Sequence, residues 1–193
     1  MKCSSLSVGD LYRFDNYDRC WRVHTVENNK ALLISETVFE ERPYNAEDRD
    51  ITWENCTLRK HLNGEFLNKL GASKSAIADT RSLNPDNPWY GTPGGNATTD
   101  KIFLLSLDEV CRYFGDSRAE LKNESDTGVL TDKNNPNKIA GYTDGKACWW
   151  WLRSPGFIRY TAAYVNHDGF VEVYGFNVSV VSGGVRPALW LNL

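Results

Sequence analysis

The stretch that decides the fold runs from Trp149 to Leu193. It opens with Trp149-Trp150-Trp151-Leu152-Arg153-Ser154-Pro155-Gly156 and closes with Gly184-Val185-Arg186-Pro187-Ala188-Leu189-Trp190-Leu191-Asn192-Leu193. Between these apolar, arginine-bearing blocks, residues 157–184 read FIRYTAAYVNHDGFVEVYGFNVSVVSGG, without Leu, Lys, Trp, Met, Gln, Pro or Cys. Large rings on a background of small residues suit a recognition surface, since a ring offers much contact area for little rotamer entropy. The alternative is a twisted antiparallel sheet whose rings simply pack. Asn166-His167-Asp168-Gly169 reads as a turn between strands Ala162 to Val165 and Phe170 to Tyr174. Alternation along such strands sends Val165 and Val171 to the core. It gathers Tyr160, Tyr164, Phe170, Tyr174 and Phe176 with Arg159 and His167 on one exposed patch. Arg153 and Arg186 sit in apolar blocks, where a guanidinium needs carboxylate or carbonyl partners, so both are read as structural.

The whole chain sets the bounds. At 193 residues one domain, 1–193, is expected, with enough length to bury a core. A hydrophobic share of 41% and a charged share of 24% are those of a folded globular protein. A net charge of -3 gives no general attraction to nucleic acid or anionic lipid, so neither is an expected partner. No apolar run approaches the roughly 20 residues that span a bilayer, and Met1 to Val8 lacks the apolar core of a signal peptide. The expectation is a chain that is cytoplasmic as synthesised, with display through another protein or a phage particle left open. Cys3, Cys20, Cys56, Cys111 and Cys148 are scattered, odd in number and free of any CxxC spacing, which predicts reduced thiols.

In chain order, Trp21 to Val26 and Lys30 to Ser35 read as a hairpin turning at Asn28-Asn29. Leu58, Leu62, Phe66 and Leu70 recur every four residues and predict a helix capped by Asn55 or Thr57 and ended by Gly71. A short helix over Ser73 to Thr80, a loop from Leu83 to Thr99 and a buried strand Ile102 to Leu105 follow. Ser106-Leu107-Asp108-Glu109 has capping-box spacing and predicts a helix through Phe114, with Gly115 past its end. Residues 116–147 read as loop.

Chemical motifs fall away on inspection. Gly141 to Ala147 is one residue short of a phosphate loop and lacks the Ser/Thr after Lys146. His24, His61 and His167 share no metal-ligand spacing with one another or with Cys. Asp132-Lys133-Asn134 begins like a calcium loop but lacks its Gly and terminal Glu. No catalytic group, metal or cofactor is therefore expected.

The strings ITWENCTLRKHLNGEF, NPDNPWYGTPGG, TTDKIFLLSLDEV, WWWLRSPG and GVRPALWLNL resemble a bacterial domain family of unknown function common in gut Firmicutes. That family is similar to the C-type-lectin-like fold in its formylglycine-generating-enzyme branch. Its members include variable proteins of diversity-generating retroelements, in which mutagenic reverse transcription rewrites adenines near the 3′ end of the gene. The resemblance implies an α+β domain of small twisted antiparallel sheets, two main helices and long loops, presenting a diversified ligand-binding face. Calcium-dependent lectin signatures are missing, and Cys148 stands alone where formylglycine generators carry a cysteine pair. Neither calcium-mediated sugar binding nor oxidase activity is implied.

Mutating both adenines of an AAC codon gives NNC codons, which encode no Lys, Gln, Glu, Trp or Met. Across 157–184 only Glu172 breaks that exclusion. The resulting candidate ligand-binding positions are Phe157, Ile158, Arg159, Tyr160, Thr161, Tyr164, Asn166, His167, Phe170, Val173, Tyr174, Phe176, Asn177, Ser179, Val181 and Ser182. Ala162, Ala163, Val165, Gly169, Val171, Gly175, Val178 and Gly184 form the expected fixed frame. The partner is an unidentified protein or surface ligand. Competing readings are an oxidoreductase related to the formylglycine generators, which requires a second thiol near Cys148, and a structural or adhesion module of a larger surface or phage protein.

Overall fold

Asn28 and Asn29 adopt φ of 51° and 58°, the left-handed pair that a two-residue turn needs to match strand twist. They join the strands Trp21–Glu27 and Lys30–Ser35, the hairpin that the sequence predicts. The computed structural model describes residues 6–13, 19–114, 129–130 and 134–193, with Val129 and Leu130 described by their backbone. Met1 to Ser5, Gly115, and the expected loop over 116–128 and 131–133 lie outside the described residues, as does Cys3.

The described residues form an α+β molecule of mostly small antiparallel sheets with few helices, one sheet curled into a half-barrel. A four-stranded antiparallel sheet orders Leu11–Tyr12, Trp21–Glu27, Lys30–Ser35 and Ala188–Asn192, so the C-terminal block zips onto the N-terminal hairpin. A six-stranded sheet orders Glu40–Glu41, Gly184–Val185, Trp150–Pro155, Thr161–Val165, Val171–Asn177 and Val129–Leu130. Its pairs are antiparallel except where Trp150 meets Gly184 in parallel. The two quoted blocks are therefore neighbours in one sheet, and residues 157–183 leave and return at adjacent points.

The first helix is composite: α-helical over Thr57–His61, π-helical over Leu62–Phe66, α-helical again over Leu67–Lys69. Four residues of α-helix overshoot a full turn by about 40°, so apolar residues spaced by four drift around a straight helix. The wider π turn takes up that drift, and Leu58, Leu62, Phe66 and Leu70 all stay buried on one side. Neither Asn55 nor Thr57 caps it. The N-cap is Cys56, whose Sγ accepts from Arg59 N at 3.4 Å. Asn55 sits one residue too early, and the Thr57 hydroxyl is taken by Ala46 N at 2.9 Å. Gly71, at φ 63°, ends the helix as predicted.

Other expectations change: the expected loop from Leu83 to Thr99 ends in the strand Thr98–Asp100, and the expected loop over 116–147 holds the strands Val129–Leu130, Ala140–Gly141 and Ala147–Cys148 and the helix Asn135–Lys138. Ser73 to Thr80 is not one helix: a 3-10 turn covers Gly71–Ala76, and Thr80–Ser82 is already strand. Ile102 to Leu105 is buried but makes a single bridge, Phe103 with Ala188. Side chains replace the missing ladder. Asn63 Oδ1 accepts from Lys101 N and Ile102 N at 2.8 and 3.1 Å, and Asn63 Nδ2 donates to Ile102 O at 2.8 Å. The Ser106 capping box forms as read and starts the Leu107–Tyr113 helix.

Buried side chains from Trp21 to Leu191 make one hydrophobic cluster holding Trp21, Trp53, Trp150 and Trp151 with no exposure. Trp190 is only partly buried. Arg153 is a clamp within this core. Its guanidinium grips both carboxylate oxygens of Glu109 and donates to Leu104 O at 2.6 Å, Leu83 O at 2.9 Å and Asn84 Oδ1 at 3.2 Å. Arg186 takes carbonyl partners, with Nε on Ser35 O at 2.9 Å. The thiols of Cys20, Cys56 and Cys148 are free.

Candidate functional site

Strand alternation explains the surface that residues 157–184 present. Trp150, Leu152, Ala163, Val165, Val171 and Val173 point inward and are fully buried. On the opposite face, Trp149 and Trp151 lie on the same side as Tyr164, the register partner of Trp151. Trp151 is covered: its indole Nε1 donates to Arg42 O at 2.9 Å, and Gly183 packs so tightly on it that no side chain would fit there. Beyond it the rings emerge. Trp149, Tyr164 and Phe176 contact one another edge-on, with centroids 5.2, 5.7 and 6.0 Å apart, and Phe176 is 47% exposed. Burial, and then Glu172 and Asp168, push the Tyr164 phenol up to about 12, so it stays a neutral donor. Burial followed by Asp168 raises Glu172 as well.

A second ring group sits further along. Phe157 stacks on Tyr174 at 4.4 Å with ring planes 10° apart, and Tyr90 meets both edge-on at 5.7 and 5.9 Å. Tyr90 is delivered by the loop over 83–97, pinned by the buried amide of Asn87. That amide donates to Pro155 O, Gly156 O and Val173 O at 2.9, 3.2 and 2.9 Å, and accepts from Trp89 N and Tyr90 N. Beside this group a cavity of about 360 Å³ lies among Asp50, Thr92, Pro93, Phe157, Ile158, Arg159 and Tyr160.

The single patch foreseen from alternation is thus divided. Tyr174 lies with Phe157 and Tyr90, away from Tyr164 and Phe176. The cause is a bulge: Ala162 pairs with Phe176 but Tyr164 pairs with Glu172, so the second strand carries two extra residues. Gly175 holds the bulge at φ 82°, where a Cβ would lie 2.7 Å from Ala162 O and 2.8 Å from Gly156 Cα. Asn166, His167 and Phe170 sit at the hairpin end, where Asn166 Oδ1 accepts from His167 N at 2.8 Å. His167 is exposed and Phe170 half-buried.

Two candidate positions are misplaced for a binding surface. Val173 is fully buried because it follows Val171 on the inward face. Thr161 is 8% exposed, its hydroxyl donating to Ile158 O at 2.8 Å and accepting from Ile158 N at 3.2 Å to hold the 157–160 turn. Arg159, Tyr160, Val181 and Ser182 are exposed, while Ile158, Asn177 and Ser179 are partly buried. Asn177 reaches Asp48 Oδ1 at 2.9 Å and closes its turn by accepting from Ser179 N. Of the frame, Gly175 alone is not fully inside; Ala162, Ala163, Val165, Gly169, Val171, Val178 and Gly184 are buried.

Reading from sequence missed Trp149 and Tyr90. For Trp149 the signal was present, since 149, 151 and 164 share a face once the strand pairing is known. For Tyr90 only the turn-rich NPDNPWYGTPGG hints at a loop built to carry rings. Cys148 donates to the Tyr142 hydroxyl at 3.0 Å, which in turn donates to Glu41, and burial raises the thiol. Among the described residues no cysteine pairs with it, no set of three His, Cys, Asp or Glu side chains is placed to hold a metal, and no helix is long and apolar enough to cross a membrane.

No curated protein and no solved structure matches the chain. A family model described as Domain of unknown function (DUF6273) matches residues 28–193, most of the length, and the chain belongs to that family.

Proposed function

We propose that this chain is a ligand-binding protein, not an enzyme, that presents a diversified surface on a C-type-lectin-like scaffold of the formylglycine-generating-enzyme branch. It would act as the variable protein of a diversity-generating retroelement. The observation that carries this reading is how the two residue classes separate. Of the candidate positions across 157–184 only Thr161 and Val173 are buried, whereas every residue of the expected frame except Gly175 is. Rings concentrated on one face are uncommon unless they meet a partner, and binding energy concentrates in a few Tyr, Trp and Arg side chains. Tyr160, Tyr174, Phe176 and Arg159 are such groups, and the partner is a protein or surface ligand.

Two libraries test the reading. One places NNC codons at Arg159, Tyr160, Tyr174, Phe176, Val181 and Ser182. The other places them at Ala162, Ala163, Val165 and Val171. Most members of the first should melt cooperatively near the parent's temperature and yield binders to unrelated immobilised proteins, whereas members of the second should unfold. A first library that is largely unfolded, or that never yields a binder, overturns the proposal.

A further inference from the structure

Away from the ring-bearing face lies a larger cavity, of about 500 Å³, none of whose lining residues falls in 149–184. Its chemistry centres on Arg186, which is 3% exposed. The guanidinium packs over Trp150 at 5.0 Å and Phe114 at 5.7 Å. Nε donates to Ser35 O, and Nη1 makes one long contact of 3.4 Å to Lys138 O. A guanidinium carries five N–H donors, so the others have no acceptor among the described residues. The acid nearest in charge, Glu36, has both oxygens taken by Arg22. Arg22 therefore takes up Glu36, and among the described residues Arg186 has no carboxylate bonded to it. Burial lowers its pKa only to about 10, which leaves it protonated at neutral pH.

A buried cation without a counter-charge is costly and is normally relieved by pairing. His24, which lines the cavity, and Ser35, whose carbonyl accepts from Arg186, each carry a buried polar atom, Nε2 and Oγ, with no hydrogen-bond partner among the described residues. Val23, Phe114, Pro136 and Ile139, the last 42% exposed, give the cavity an apolar side, while Arg22, Glu36 and Asn137 make another part of its wall polar. A buried cation with spare donors beside an apolar side describes a receptor for an amphiphilic anion. A planar carboxylate matches the fork of a guanidinium better than a point acceptor does.

We propose that this cavity binds a small organic carboxylate with an apolar or aromatic body, its carboxylate seated on Arg186. The source is either a free acid or the C-terminus of a peptide ending in an apolar residue. The site is separate from the variable face, so it holds or fails independently of the function proposed above.

The test titrates the full chain with 3-phenylpropionate, its amide, inorganic phosphate, and a tetrapeptide ending in Phe with either a free or an amidated C-terminus. Tryptophan fluorescence and the Trp150 indole N–H resonance report binding. The free acid or the free-carboxylate peptide should bind saturably, with the neutral analogue weaker by about tenfold or more; whichever binds tighter identifies the source. Ile139→Glu places a like charge at the exposed mouth without touching the core, and should weaken binding by a similar factor at unchanged melting temperature. Arg186→Met should abolish binding if it folds. Equal binding of acid and amide, binding of phosphate alone, no saturable response to any carboxylate, or an unaffected Ile139→Glu variant would each overturn the proposal.

Discussion

Replacing Arg153 by Met tests whether the clamp behind the WWWLRSPG block holds the fold together. Met keeps much of the apolar stem but removes every donor. Glu109 then loses both ion-pair contacts, while Leu83 O, Leu104 O and Asn84 Oδ1 lose a partner. Breaking a buried pair from one side costs about 3 to 5 kcal/mol, because the charge left behind stays in the protein. The Glu109 side chain is 25% exposed and can draw some water, which favours the lower end of that range. Against a typical total stability of about 5 to 15 kcal/mol this is a large fraction. Urea unfolding at neutral pH, followed by tryptophan fluorescence, should show the midpoint fall with an unchanged slope. Arg153→Lys should lie between, since an ammonium keeps the charge but has three donors in place of a planar fork. Adding Glu109→Gln to Arg153→Met should recover about 1 to 2 kcal/mol by removing the orphaned charge while keeping the capping bond to Ser106. An Arg153→Met variant within about 1 kcal/mol of the parent, or one that Glu109→Gln does not rescue, refutes the clamp.

Two further outcomes follow from burial. Trp150→Ala should cost about 3 to 5 kcal/mol, but Trp190→Ala, at a partly buried position, only about 1 to 2; equal losses in the two melts would contradict the packing described. Burial pushes His24 down to about 4, with the Tyr113 carbonyl opposing that shift and Arg186 and Arg22 adding to it. The unfolded chain therefore takes up this proton first, near pH 6.5. Stability attributable to His24 is complete above that pH and drains away towards pH 4, on the order of 3 kcal/mol in all. Urea midpoints at pH 7, 5.5 and 4.5 for the parent and His24→Gln should diverge in slope, and parallel slopes would show that His24 is not held neutral.

Local signals in the sequence were read well where a few neighbouring residues decide the outcome. Asn28-Asn29 turns the hairpin, Ser106 and Glu109 close the capping box, and Gly71 ends the helix. Burial of the Val165 and Val171 frame followed from alternation alone. What escaped depends on pairing between distant segments. Ile102 to Leu105 has strand composition, yet Asn63 and Ala188 satisfy much of its backbone, and neither is near in sequence. The bulge at Gly175 parts Tyr174 from Tyr164 through register, which no period-two pattern encodes. Tyr90 joins the ring face through Asn87, whose three backbone acceptors lie 68 residues or more away. The difference between the two arginines was equally invisible: their motifs are alike, and only the fold shows that Arg153 grips a carboxylate while Arg186, among the described residues, bonds carbonyls alone.

That contrast between the two arginines bears on how one scaffold could tolerate a changing face. The segment 157–183 leaves Trp150–Pro155 and returns into Gly184–Val185, strands that lie side by side. Gly184 N donates to Trp149 O at 3.1 Å and Arg42 N to Gly183 O at 2.8 Å, so the returning end is fixed by backbone bonds that do not depend on the side chains between. The entropy of closing the loop is thus met by the frame, whatever side chains lie between. Arg153 locks the outgoing strand to the Leu107–Tyr113 helix through Glu109, and its bonds involve no residue of 157–183. Arg186 sits just after the returning strand and packs on Trp150 from the outgoing one. On the two proposals made above, rigidity at the two anchors would isolate the fold from changes on the ring face, and Arg186, with no carboxylate bonded to it among the described residues, would hold a recognition site that those changes do not reach.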